Sequence, residues 1–455
     1  MAVNAKKCLR FDAGIWVIVA KNAGRFCGAR CGNLPAAARG RTIYPWPALV
    51  TIISYPIGLY MIHSLRDDFL LDPEVVFLNH GSFGATPRPV FETYQEWQRR
   101  LEWQPVQFLG TDIGEYLAEA RVALGRYLNV AADDLVYVPN ATFGVNVVAR
   151  SLRLGPGDEV LATDHEYGAC ENAWSFMSRD RGFTYVSLPV PLPLPDASEL
   201  LEQFWAGVTP RTRVIFLSHI TSPTAMRFPV EAICVRAREA GILTVIDGAH
   251  APGQLPLDLP AIGADFYTGN CHKWLCAPKG SGFLYARPEA QHLIEPLIVG
   301  WGWGEGRTFT FGTDFLDSLQ YPGTNDYAAY LSVPAAIEFQ ASHDWPSVRS
   351  RCRELVEQAI GRIDALTGLP SLYPQPAGNA YCQMAIAALP PIIDLPAFKK
   401  QLYDDFRVEI PCIQWGGRQF IRISIQGYNT VADVDTLLMA LEAMLVGEAA
   451  GASLR

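Results

Sequence analysis

Seven short runs rich in β-branched and apolar residues stand between about residues 130 and 290: DLVYVP, EVLATD, FTYVSLPV, TRVIFLSHI, ILTVIDG, ADFYTGN and GSGFLYAR. Helix-like stretches such as GVNVVARSL and VEAICVRAREAG lie between several of them. A strand that runs parallel to its predecessor needs a long crossover, usually a helix. The alternation therefore specifies an α/β chain with a mostly parallel sheet covered on both faces. The last two runs have no helix between them, so a hairpin is expected there. Ligands of such sheets sit beyond the carboxyl ends of the strands. Further on, PGTNDYAAYLSVPAAIEFQ opens a helical region, and beyond Ser371 come NAYCQMAIAAL, FRVEIPCIQW, FIRISIQG and a closing helix VADVDTLLMALEAMLVG. That pattern predicts a smaller C-terminal α+β domain sharing a cleft with the first. The expected boundaries are a leader over 1–60, an N-terminal segment over 61–95, a large domain over 96–329, a small domain over 330–447 and a tail over 448–455.

At 455 residues, 49% hydrophobic, the chain can build large cores. Its charge is uneven. Residues 1–60 hold eight basic side chains against Asp12 alone, a net of +7, so the overall −9 leaves −16 for the remainder. An acidic body of this kind argues against nucleic acid as a partner. The basic leader lacks the order of a signal peptide. It is expected to be a poorly ordered extension, or upstream sequence read through to a real start at Met61. A membrane anchor over residues 43–62 is the alternative, weakened by Pro45, Pro47 and Pro56. The ten cysteines form no CxxC pair and the histidines do not cluster at ligand spacing, so no metal is expected. Widely spaced thiols suit a reducing cytoplasm.

Several residues just past strand ends carry chemistry. In ADFYTGNCHKWLCAPKGSGFLYAR a lysine, Lys273, sits among small apolar and aromatic residues. Burial lowers a lysine's pKa and makes the amine a usable nucleophile. Asp247 ends ILTVIDGAH, where a buried carboxylate needs a cation such as a protonated pyridine, unless it merely caps the next turn. His250, three residues on, can hydrogen-bond a ring substituent. Asn140, Ala141 and Thr142 precede a helix whose amino end attracts an anion. Tyr167 offers an aromatic face for a flat ring. Arg422 shares a strand face with Phe420, so it points inward and needs an anion that its fork can grip, such as a carboxylate. Neither GxGxxG nor GxxxxGK[ST] occurs, so nicotinamide and ATP lose support. Amine, acid, stacking ring, phosphate nest and carboxylate clamp together match pyridoxal 5′-phosphate with an amino-acid substrate.

The segments FLNHGSFGATPRPV, NATFGVN, DHEYGACENAW, SHITSPTAMRFPV, VIDGAHAPG, GNCHKW, PKGSGFLY, GTNDYAAY and RISIQGYNT resemble those of class-V aminotransferase-fold enzymes, specifically the isopenicillin N epimerase-like branch. The resemblance runs from about residue 61 to 447. It implies a fold-type-I enzyme with a seven-stranded large domain, a small C-terminal domain and a homodimer whose active sites lie at the subunit interface. On that resemblance Lys273 carries the cofactor as a Schiff base, Asp247 faces the pyridine nitrogen, Tyr167 stacks on the ring and His250 lies near the ring oxygen. Thr142 and the Ala141 backbone, helped by Asn270 and His272, form the phosphate nest. Thr324 reaches the phosphate of the neighbouring subunit, and Arg422 binds the substrate carboxylate. Lys279, in PKGSGF, is the rival amine but belongs to a structural turn.

Fold and cofactor do not choose the reaction. The favoured expectation is an epimerase-like enzyme acting on an amino acid or a similar molecule at Cα. Cysteine desulfurase or C–S lyase, aminotransferase, and an inert binding protein on the same fold are the alternatives. A desulfurase needs a mobile nucleophilic cysteine near the C-terminal strands. Cys412 is the candidate, yet EIPCIQW reads as strand.

Overall fold

The computed structural model describes residues 65–374 and 377–452, with two short antiparallel strands over Cys8–Arg10 and Trp16–Ile18. Two units divide the chain, Met1–Ile62 and His63–Arg455, and the second holds the sheet and the cleft. Met61 and the apolar stretch over 43–62 lie outside the described residues. Among the described residues, no helix is long and apolar enough to cross a membrane.

All seven runs are strands of one sheet. They are β1 (Leu135–Val138), β2 (Glu159–Thr163), β3 (Thr184–Leu188), β4 (Thr212–Ser218), β5 (Leu243–Asp247), β6 (Phe266–Asn270) and β7 (Gly282–Ala286). Their spatial order is β1-β7-β6-β5-β4-β2-β3. The pairs β6–β5, β5–β4, β4–β2 and β2–β3 are parallel. Only β7 runs against its neighbours β6 and β1, because the β6–β7 link is the expected hairpin connection with no crossover helix.

Strand alternation sends side chains to two separate cores. Val136, Val160, Val214 and Val245 pack on one face with Val145, Val148 and Trp174 of the covering helices. Leu135, Leu161, Ile215 and Ile246 face the other core, shared with the C-terminal domain. A sheet buried on both faces leaves its strand ends as the place where polar groups can emerge. The covering helix α1 (Ala141–Ser151) starts at Asn140, whose extended backbone and side chain cap the Phe143 N–H at 2.9 Å. Helix α2 (Gly168–Arg181) follows β2 in the same way, with Tyr167 at its amino end.

The C-terminal sheet is antiparallel, with β8 (Met384–Leu389) and β9 (Cys412–Trp415) flanking β10 (Arg418–Ser424). Long helices over Trp345–Thr367 and Val431–Ala452 accompany it. The N-terminal segment stitches the two sheets together. Val76–Phe77 pairs in parallel with Val408–Glu409, and Leu78 accepts the Ser424 N–H at 2.9 Å. A few residues on, the His80 ring meets the Lys273 carbonyl at 3.1 Å. Gly84 then turns at φ +70°, so tightly that a Cβ would stand 2.1 Å from the His272 carbonyl oxygen.

That contact gives a stability test. Gly84→Ala combines left-handed backbone strain with a backbone clash, so it should cost about 2–4 kcal/mol. Thermal unfolding should show a midpoint lower by several degrees. Gly110→Ala, where nothing lies within 4 Å of the added carbon, should leave the midpoint in place.

Candidate active site

The turn between β6 and β7 carries Lys273. Its backbone is pinned by Cys271 and His272 N–H groups donating to Ser281 at 3.0 and 3.2 Å, and by Cys276 N–H donating to the Lys273 carbonyl at 3.0 Å. The half-buried Lys273 side chain faces a cavity of about 230 Å³ at the carboxyl ends of the strands. Its nearest polar partner is His250 Nε2 at 3.1 Å. Burial pulls the Lys273 pKa down to about 8, although nearby Asp247 opposes the shift.

Asp247 is 3% exposed at the end of β5. One oxygen accepts the Ala249 N–H at 2.9 Å, and the other accepts the Cys170 thiol at 3.5 Å. Burial raises its pKa above the ordinary carboxylate value. His250, from the turn after β5, is buried. Its Nδ1 accepts the Trp274 indole N–H at 3.2 Å, and burial first and then the Lys273 charge hold its pKa well below the usual range.

The amino end of α1 forms another wall. Asn270 Oδ1 accepts the Ala141 N–H at 2.8 Å, and Asn140 caps Phe143. The Ala141 N–H is thus turned to Asn270, a difference from the expected nest. Among the described residues no acceptor meets the Thr142 N–H, which remains available, while the Thr142 hydroxyl is within hydrogen-bond reach of the Cys170 thiol. His272 holds the Ser281 carbonyl at 3.0 Å, and burial drives its pKa down to about 4. Tyr167, 45% exposed, stands at the mouth.

Lys273, Asp247, His250, Tyr167, Ala141, Thr142, Asn270 and His272 therefore line one cavity. Arg422 lies just behind it. Its guanidinium donates to the Ser222 carbonyl at 2.5 Å and to Ser82 Oγ at 3.1 Å, and both serines line the cavity. Arg422 is 5% exposed, its Nε has no partner, and no carboxylate pairs with it among the described residues. Burial brings its pKa down to about 10. Thr324 lies elsewhere, in a second cavity of about 250 Å³ with Tyr137, Phe143 and Tyr330. The Lys279 side chain does not line the Lys273 cavity. Sequence reasoning missed Ser82, Ser222, Cys170 and Trp274 as site residues. Each acts on a partner far along the chain, and only the quoted NHGSFG, SPTAM, GACEN and CHKW segments hinted at them.

Residues 76–437 match the aminotransferase class-V family. The chain belongs to that family. It is 36% identical to isopenicillin N epimerase of Amycolatopsis lactamdurans, over 83% of this chain and 97% of that one. The corresponding Streptomyces clavuligerus epimerase is 37% identical over 84% and 98%. The solved cysteine desulfurase CsdA of Escherichia coli superposes with a TM-score of 0.71 at 25% identity, covering 84% of this chain and 98% of its own. This class-V chain is an enzyme, and its cofactor is pyridoxal 5′-phosphate. The donor set fits that group. A buried carboxylate without a cation suits a protonated ring nitrogen, an uncommitted Thr142 N–H at a helix amino end suits a phosphate, and an amine of lowered pKa suits an aldehyde.

Burial lowers the pKa of five histidines: His80 and His219 to about 3, His272 to about 4, and His165 and His250 as well. Below pH ~6.5 the unfolded chain binds protons that these folded imidazoles refuse, so stability falls with acidification. Glu166, raised to about 7, and the raised Asp247, Asp134 and Asp364 act in the opposite direction, but they are four against five, and the two last are only partly buried. Circular-dichroism melts of the class-V enzyme should show a midpoint about 5 °C lower at pH 5.5 than at pH 7.5. A flat or rising midpoint would mean that the histidines are not buried neutral.

Proposed function

We propose that this enzyme acts at the amino group and Cα of an amino acid or amino-acid-like substrate, in the manner of an epimerase. The observation that carries the reading is the opening of Lys273 and Asp247 into one cavity, with the unpaired Arg422 guanidinium behind its serine wall. Bound pyridoxal phosphate supplies a sink for the electron pair left at the substrate carbon when its proton departs. Lys273 Nζ holds the cofactor and moves the proton at Cα. Asp247 keeps the ring nitrogen protonated, Tyr167 covers the ring, and His250 donates toward the ring oxygen. Thr142, with Ala141 at the helix end and Asn270 and His272 beside it, receives the phosphate. Arg422 takes the substrate carboxylate, with Ser82 and Ser222 setting its height.

Thr324 acts on the neighbouring subunit of a homodimer. Support comes from its own cavity and from the exposed Ile298 that lines it, 51% accessible. We place the cofactor-binding body at 96–329 and the small domain at 330–447. A reducing cytoplasm suits the seven unpaired cysteines of the described residues.

The second reading, C–S lysis, is favoured by the likeness to a cysteine desulfurase. The form of it that needs a mobile protein thiol is disfavoured. Cys412 is held in β9 opposite Ile421, and burial drives its thiol up to about 12.

Borohydride reduction followed by peptide mass spectrometry should place the cofactor on Lys273, and Lys273→Ala should be colourless. In D₂O, amino-acid substrates should exchange the α-proton and yield the other stereoisomer. Sulfide and pyruvate from cysteine would move the assignment to a lyase, and label on another lysine would refute it. Arg422→Ala should raise KM at least about tenfold, the loss of a charged hydrogen-bonded clamp, with colour unchanged.

A further inference from the structure

Trp274 is fully buried one residue after the cofactor lysine, and its indole N–H is a donor only. That donor meets His250 Nδ1 at 3.2 Å, so Nδ1 must present its lone pair. A neutral imidazole then carries its single proton on Nε2. Nε2 faces Lys273 Nζ at 3.1 Å. An ammonium has three protons and no lone pair, so it cannot accept from Nε2–H. Only the free amine can.

We propose that Trp274 is a positioning residue: its indole fixes His250 as an Nε2–H donor and thereby holds Lys273 as a free-base acceptor, ready for the cofactor aldehyde. The surroundings agree. Asp247 at the end of β5, Arg422 on β10, Cys170 on α2, His272 in the lysine turn and His80 in the N-terminal segment are the charged and titratable groups facing the pair. None of them bonds to His250, whose ring nitrogens are taken by Trp274 and Lys273. Without the indole, His250 could turn its lone pair to the lysine and stabilise the ammonium instead. The same carbonyl-bearing residue is braced from behind: Gln340 donates to the Trp274 carbonyl at 2.8 Å, and a Cβ at Gly253 would lie 2.1 Å from that oxygen.

This inference rests on Lys273 being the cofactor amine, which borohydride mapping tests separately. The experiment uses the full chain, labelled with ¹⁵N-histidine and freed of cofactor, with His250→Asn to identify the signals. His250 Nδ1 should resonate as a bare nitrogen and Nε2 as a protonated one. Protonated Nδ1 in the wild type overturns the proposal, whatever the variants do. Trp274→Phe should show a mixture of both tautomers. The rate of pyridoxal phosphate uptake, followed by absorbance against pH, should have its midpoint near 8 in the wild type. In Trp274→Phe it should rise by about one unit, making uptake at pH 7 about tenfold slower. A folded Trp274→Phe with an unchanged midpoint and a single tautomer would also overturn it.

Discussion

An amine taken out of water and given an imidazole instead of a carboxylate as its nearest neighbour is the constraint around which this enzyme is arranged. Had Asp247 closed on Lys273 as an ion pair, the lysine would be a stabilised cation and a poor nucleophile. The two stay unpaired because they leave the sheet from different strands, Asp247 from the end of β5 and Lys273 from the turn after β6. His250 stands beside the lysine, fixed by the Trp274 indole. The hairpin return of β7 makes this possible. A crossover helix after β6 would carry the chain away from the cleft, whereas the tight turn holds the lysine over it through Ser281 and Cys276.

The frame of this arrangement was legible in the residues. Seven apolar runs became seven strands, and the absence of a helix between the last two correctly implied their antiparallel pairing. Period-two alternation turned Arg422 inward with Phe420, and both are buried. Placement of Asp247 at a strand end followed from where buried runs stop. Other features depended on contacts no local pattern encodes. The Ala141 N–H goes to Asn270, 129 residues away, because β6 ends beside the start of α1. Arg422 meets Ser82 and Ser222 at separations of 340 and 200 residues. The sequence around Trp274 reads simply as apolar bulk. Only the fold reveals that its one polar atom decides which nitrogen of His250 carries the proton.

The N-terminal segment shows how a short stretch can govern a site without entering its chemistry. Between Val76 and Gly84 the backbone pairs with Val408–Glu409, accepts from Ser424, touches the Lys273 carbonyl through His80 and packs on His272 at Gly84. The His80 ring is itself neutral, with its pKa pushed by burial to about 3 and Nδ1 set against the Tyr428 hydroxyl at 2.9 Å. A carbonyl can only accept, so His80 presents Nε2–H to Lys273, the same tautomer as His250. Two buried imidazoles, one on the backbone and one on the side chain, hold the lysine without adding charge. A cationic partner at either place would repel the amine's proton, but it would cost more to bury.

Burial also explains why the polar groups of the cleft remain incompletely matched. A fold optimised for its own stability would pair Arg422 with a carboxylate and place a cation on Asp247. Here the guanidinium has only a carbonyl and hydroxyls, one nitrogen is unpartnered, and the carboxylate has a single strong N–H donor and a weak thiol. On the proposed function, each gap answers a feature of one zwitterionic assembly: a ring cation at Asp247, an anion at Thr142, a carboxylate at Arg422. A ligand that satisfies these groups binds the folded chain in preference to the unfolded one, so ligand and fold stabilise one another by mass action. Pairing them internally would raise the stability of the free chain and remove the affinity. The cleft is therefore a place where sequence choices that look unfavourable locally are those the chemistry requires.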